Sequence, residues 1–133
     1  KALRYDKDSE EHYNNLSALQ KSLQNSAVDA AIYWLMPMLA GGEDPLYIAR
    51  GLIRFASKDI GVADRRALPL TVAVFQACQM IGMPECDVYL TESVTYLALA
   101  PKSNALCAAK TAAQADSKAT GNLPVQLQIR DTP

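Results

Sequence analysis

Imidazole and thiol, the side chains best suited to nucleophilic catalysis and zinc binding near neutral pH, are scarce in this sequence. One histidine, His12, and three cysteines, Cys78, Cys86 and Cys107, are the only members of their types in 133 residues. A zinc site needs four ligands at workable spacing. These four are scattered, and no Cys-x-x-Cys pair occurs. A Cys–His nucleophile pair would require His12 to meet one of the thiols in space, and nothing in the spacing argues for that. Two cysteines sit inside or beside apolar helical runs, so buried structural thiols are the plainer reading. Neither G-x-x-x-x-G-K-[ST] nor G-x-G-x-x-G is present. Gly41-Gly42 precedes a helix start, a place that can hold an anion. Glu43 and Asp44 stand in that place and repel one.

The charged residues say more. At 100° per residue, Leu46, Ala49, Leu52, Ile53, Ala56 and Ile60 fall within about 120° of one another. Ile48 and Phe55 widen that face, while Arg50, Arg54, Ser57 and Lys58 cluster opposite, with Tyr47 on their side. Arg50 and Arg54 stand one turn apart, as a solvated face paired with nearby acids or as a subunit or phosphate contact. Asp59 breaks the pattern. It projects between Ile48 and Leu52 on the apolar side, at the helix end where a carboxylate meets the wrong pole of the dipole. Burying it unpaired would be costly. The expectation is a cationic or backbone-donor partner from another segment, either holding helices in register or making a functional contact. His12 falls on the face of Leu16, Leu19 and Leu23. It reads as a half-buried packing residue with one ring nitrogen hydrogen-bonded, or as a contact to another subunit. In Pro101-Lys102-Ser103-Asn104, Ser103 as the cap of the sixth helix accounts for much of the run; Lys102 opposes the dipole of that helix, which is compatible with a partner acid or an interface but does not require one. Asp59, Arg50, Arg54 and His12 are therefore candidates for an interface or buried ion pair. Lys58 and Lys102 are candidates for a DNA or partner contact.

The elements that position these residues read as helical throughout. The first helix spans about Ser9 to Gln24, with Ser9 as cap and an apolar stripe of Tyr13, Leu16, Leu19 and Leu23. The second runs from about Ala27 to Ala40, capped by Ser26, bent at Pro37 and stopped by Gly41-Gly42. The third opens with Asp44-Pro45, a good cap followed by proline at the first helical position, and ends at Gly61. The fourth runs from Asp64 to Gly82. It is apolar nearly all round from Ala67 to Ile81, which places it at the centre of a bundle. The fifth lies between Pro84 and Pro101, and the sixth runs from Ser103 to Gly121. From Asn122 onward, alternating Val125, Leu127 and Ile129 suggest an extended arm. Turns of two to four residues imply antiparallel neighbours. The fold class is thus all-α, one bundle of about six antiparallel helices, with residues 1–8 as a leading linker, 9–121 as the helical domain and 122–133 as the arm.

Composition narrows the function classes. Thirteen Lys plus Arg against 14 Asp plus Glu give a net charge of −1. That balance argues against a dedicated nucleic-acid domain and against a polybasic membrane patch. Half the residues are hydrophobic, enough for a core without metal or disulfide staples. No apolar run approaches the ~18 residues of a membrane span. Three cysteines fit a reducing, cytoplasmic setting better than a disulfide framework. The chain begins at Lys1 without Met, so it reads as an excised piece.

The strings EHYNNLSALQKSLQNSAVDAAIYWL, GGEDPLYIARGLIRFASKDIGVADRRAL, GMPECDVYL and YLALAPKSNAL carry a family likeness. Over roughly residues 5–133 the chain resembles the C-terminal region of the RarA/MgsA family of AAA+ ATPases, the replication-associated recombination proteins that include the Werner-helicase-interacting protein. The resemblance implies a helical region like a clamp-loader collar that mediates homo-oligomerisation, typically as tetramers. It also implies a DNA-dependent ATPase parent, nucleoid-associated in the cytoplasm, which acts at replication forks and associates with single-strand-binding protein. ATP and Mg²⁺ would bind in an N-terminal module preceding this chain, joined through Tyr5-Asp6-Lys7-Asp8. No cofactor is expected in the fragment, and no catalysis by it. Leu123-Pro124-Val125 to Arg130-Asp131 resembles the start of a further tail. The sequence departs from the family pattern at Pro37, Gly51 and Cys107. Two alternatives stand beside the assembly reading: a DNA-phosphate-contacting module of the same ATPase, and a free-standing helical protein-binding adaptor.

Overall fold

Without Gly or Pro between Ala2 and Gln24, nothing stops a helix from running the length of that segment. The computed structural model describes residues 2–121, and its first element, α1, spans Ala2–Gln24. Ser9, expected as a cap, therefore lies within the helix. Next come α2 (Val28–Ala40), α3 (Pro45–Phe55), a π turn (Ala56–Ile60), a 3-10 turn (Gly61–Ala63), α4 (Ala67–Ile81), α5 (Asp87–Leu99) and α6 (Ala105–Thr120). Among the described residues the fold is all-α. The arm expected over 122–133 lies outside the described residues.

Local chemistry explains the joints. At the end of α1, Ala27 N–H donates to Ser22 O and Ser26 N–H to Leu23 O, a Schellman pattern. Ser26 holds its left-handed position with φ 57°. It therefore terminates α1 and does not cap α2, whose N-cap is Ala27. The same pattern closes α2, where Gly42 takes φ 89° and Glu43 N–H donates to Met38 O. Asp44 caps α3 as expected, its carboxylate accepting from Leu46 N–H at 2.9 Å, with Pro45 first in the helix. Met83-Pro84, between α4 and α5, is a cis peptide.

The core centres on α5, not on α4. Leu90, Val94, Leu97 and Ala98 of α5 are fully buried, and α5 packs on α1, α2, α3 and α4. On α4 only Ala67, Thr71, Val74 and Cys78 are buried. Leu68, Val72, Met80 and Ile81 face outward. An apolar helix is central only where neighbours surround it. Here α4 packs chiefly on α3, the π turn and α5, and keeps an apolar outer surface. No residue of α6 is buried. Its root packs on the π and 3-10 turns, with Leu106 against Gly61, where an added Cβ would meet it at 3.2 Å. Five helices thus build the core, and the sixth projects from it.

Candidate functional site

The third helix loses its α register before its end. Gly61 N–H donates to Ala56 O, five residues back, so the turn from Ala56 to Ile60 is wide. A uniform 100° step misplaces whatever follows. Asp59 is accordingly half-buried at an edge, not sunk between Ile48 and Leu52. Its Oδ1 accepts from Gln24 Nε2 at 3.1 Å, and its backbone carbonyl accepts from Ser103 N–H at 2.7 Å. The carboxylate partner is a neutral amide from α1, where a cation or backbone donor was expected.

Lys102 is turned into the fold. Its Nζ donates to Ala98 O at 2.9 Å, to Ala100 O at 2.6 Å and to Ser26 Oγ at 3.3 Å. The ammonium therefore sits at the carbonyl end of α5, where the helix dipole favours a cation. It also bolts that end to the left-handed Ser26. Burial lowers the Lys102 pKa, and the Asp59 charge opposes that shift. Reading Lys102 forward, onto α6, missed this because the helix that uses it lies behind it in sequence.

His12 is more exposed than expected, with 47% of its side chain accessible, while the expected hydrogen bond of one ring nitrogen is made. Its Nδ1 pairs with the Glu43 carboxylate, whose side chain is 10% exposed. The contact ties α1 to the turn between α2 and α3. Tyr13, expected in the buried stripe, is 68% exposed.

What the structure does bring together is a groove of about 410 Å³ between α1 and α3. Its floor is Leu16, Phe55 and the backbone of Gly51. The helices cross so closely there that a Cβ on Gly51 would lie 3.1 and 3.2 Å from the Leu16 methyls. Tyr13 and Tyr47 stand at its sides, and Arg50, Arg54 and Lys58 follow one another along the rim. These three cations are exposed. None of them is in an ion pair within 4.0 Å among the described residues. Beyond the rim, Arg54 and Lys58 face Leu106, Cys107 and Lys110 of α6 across a second, mostly apolar groove of about 500 Å³. Lys110 carried no signal in the sequence, and Tyr13 was read there only as part of the buried stripe, since the placement of α1 and α6 against α3 decides their role.

A second cluster went unnoticed in the sequence. Asp64 Oδ2 accepts from the Tyr96 hydroxyl at 2.6 Å, and Oδ1 accepts from Arg66 N–H at 3.0 Å. These bonds, Tyr96 first, lower the Asp64 pKa, while the same carboxylate raises that of Tyr96. The Arg66 guanidinium lies 6.0 Å from the Tyr96 ring centroid. This cluster ties the start of α4 to α5. Cys78 and Cys86 are buried free thiols, Cys78 Sγ lying 3.8 Å from Cys86 O. Burial pushes the Cys78 pKa up to about 12, so the thiol stays protonated at neutral pH. Among the described residues no three His, Cys, Asp or Glu side chains come together as metal ligands. Nor is any described helix long and apolar enough to cross a membrane.

Comparison with known proteins places this geometry in a family. Residues 25–133 match the family described as MgsA AAA+ ATPase C terminal. Replication-associated recombination protein A of Coxiella burnetii is 45% identical over 130 residues, covering 98% of this chain and 30% of that protein. The protein of the same name in Escherichia coli strain K12 is 38% identical over all 133 residues, again 30% of its length. ATPase WRNIP1 of Dictyostelium discoideum is 48% identical over 103 residues, 77% of this chain and 12% of that protein. With a family match over most of its length, and spanning less than a third of these relatives, the chain belongs to the C-terminal domain family of MgsA AAA+ ATPases.

Proposed function

We propose that this chain is the assembly domain of an AAA+ ATPase that maintains replication forks and serves recombination repair, nucleoid-associated in the cytoplasm. The fragment itself catalyses nothing. ATP and Mg²⁺ belong to an N-terminal module, and the whole protein assembles as a tetramer, acts on DNA and meets single-strand-binding protein. Support for the parent's role comes from the relatives' names.

The assembly reading is carried by one observation, the apolar surface that the fold leaves outside. Leu68, Val72 and half-buried Phe75 follow one another at i, i+4 and i+7 along one flank of α4. Met80, Ile81, Met83 and Val88 are exposed around the turn into α5. A monomer of this size has no need of so many exposed large apolar side chains on adjoining elements, and such surfaces mark protein contacts. Light scattering of the 133-residue chain at micromolar concentration should show dimers or tetramers, weakened by Val72→Asp. A strict monomer at every concentration would overturn the proposal.

A further inference from the structure

We propose that the cleft between α1 and the end of α2 receives an arginine side chain from a basic segment of a partner protein, the guanidinium lying on the Trp34 indole and meeting the carboxylates of Glu11 and Glu43. The inference is independent of the assembly reading, since α4 lines no part of this cleft.

Charge decides the sign of the ligand. The cleft holds about 470 Å³, within the size range of clefts that take a small ligand. Glu11, His12 and Asn15 line it from α1, Trp34 and Pro37 from α2, and Glu43 from the turn that follows. Glu11 is exposed and has no ion pair within 4.0 Å among the described residues. The Glu43 side chain is only 10% exposed and pairs with His12. Two carboxylates against one imidazole leave the cleft negative whether or not His12 is protonated. No described Lys or Arg lines it. Among the described residues no three His, Cys, Asp or Glu side chains come together as metal ligands, so the cation that fits is organic.

The aromatic lining then selects the kind of cation. Trp34 is the one tryptophan of the sequence and stays half-buried on the cleft. Tyr33 braces it edge-on, with ring centroids 6.1 Å apart and planes at 84°. A planar guanidinium stacks on an aromatic face while its fork of donors reaches carboxylates, which a compact ammonium cannot do at once. The surroundings favour a protein segment over a free small cation. Tyr33, Met36 and Pro37 stand exposed at i, i+3 and i+4 beside the cleft. Residues flanking an arginine would cover them, and a free cation would leave them in water. Tryptophan, tyrosine, methionine and arginine are the residues enriched at protein contacts.

Trp34 supplies the test, because its emission is the only indole signal of the 133-residue chain. A short peptide alternating arginine and leucine is titrated at low salt. It should give a saturable change in emission that weakens with added salt. The same peptide with lysine should bind at least about twofold more weakly, and with the neutral isostere citrulline it should not bind. Glu11→Gln should weaken binding about two- to fivefold, as for an exposed charge pair. Pro37→Arg, which places a guanidinium on the cleft wall, should abolish it. Both positions are exposed, and circular dichroism verifies that the variants fold. Val72→Asp, which weakens assembly, should leave the titration unchanged. A silent titration overturns the proposal, as does an equal response to the citrulline peptide or an unchanged affinity of Glu11→Gln. Equal binding of the lysine peptide overturns the stacked guanidinium. Arginine amide binding as tightly as the peptide overturns the protein segment in favour of a free small cation. Loss of binding in Val72→Asp would place the peptide on α4 and overturn the assignment to this cleft.

Discussion

Replacing Gly51 by alanine sets two effects of known sign against each other. Alanine is favoured over glycine in a helix interior by about 1 kcal/mol, and Gly51 lies within α3. The new Cβ would stand 3.1 and 3.2 Å from the Leu16 methyls and 3.6 Å from Gln20 Nε2. Those contacts are tight, but they involve the tip of a half-buried leucine that can swing aside. Displacing a side chain from its rotamer costs about 0.5–1.5 kcal/mol, so in the natural sequence the two effects should nearly cancel. In a Leu16→Ala background the obstruction is gone, and Gly51→Ala should stabilise by about the full 1 kcal/mol. The expected coupling between the two positions is therefore about 1 kcal/mol, within the range for residues in contact. Urea unfolding followed by far-ultraviolet circular dichroism measures all four proteins. The same change from Gly51→Ala in both backgrounds would refute the close crossing of α1 and α3, and with it the floor of the groove.

Two further outcomes follow from the described chemistry. The Asp64 pKa is held below its ordinary 3.8, chiefly by the Tyr96 hydroxyl, so the stability it contributes is complete above that value and is lost as pH falls through the lowered pKa. Tyr96→Phe should therefore be less stable than the natural chain at neutral pH, with the gap narrowing in acid titration below about pH 3.8; a gap independent of pH would count against the bond. Thiol labelling of the folded chain at neutral pH should reach the half-exposed Cys107 first and leave buried Cys78 and Cys86 unmodified until unfolding, as peptide mass mapping would show.

The helical class and most of the joints were legible because they depend on single residues acting locally. Asp44-Pro45, Gly42 and Gly82 each set a helix end through their own backbone or side chain, and each stands where expected. Ser26 misled because serine serves as an N-cap far more often than it adopts φ above zero, and the carbonyls of α1 decide which. The location of the core was not legible from α4, whose apolar residues describe a potential to be buried and not the presence of neighbours. The candidate site was half legible. Arg50 and Arg54 were placed on one face by helical spacing, which holds up to Phe55, and Lys58 stays on the same rim although it follows the change of register. Their relation to Tyr13 and Lys110 is a matter of helix packing, for which the sequence carries no period. Asp59 and Lys102 were singled out for being in awkward places, and both turn out to serve joints between segments distant in sequence.

The wide turn at Ala56–Ile60 has a mechanical side. By presenting the Asp59 carbonyl to Ser103 N–H, it fixes the root of α6 at a bond of 2.7 Å. From there α6 extends 16 residues with none of them buried, about 24 Å of stiff rod. A tilt of about 10° at that hinge would carry the far end through about 4 Å. Small changes around Lys58 and Asp59, where the wide turn meets the root of α6, would thus be multiplied at the other end of the lever.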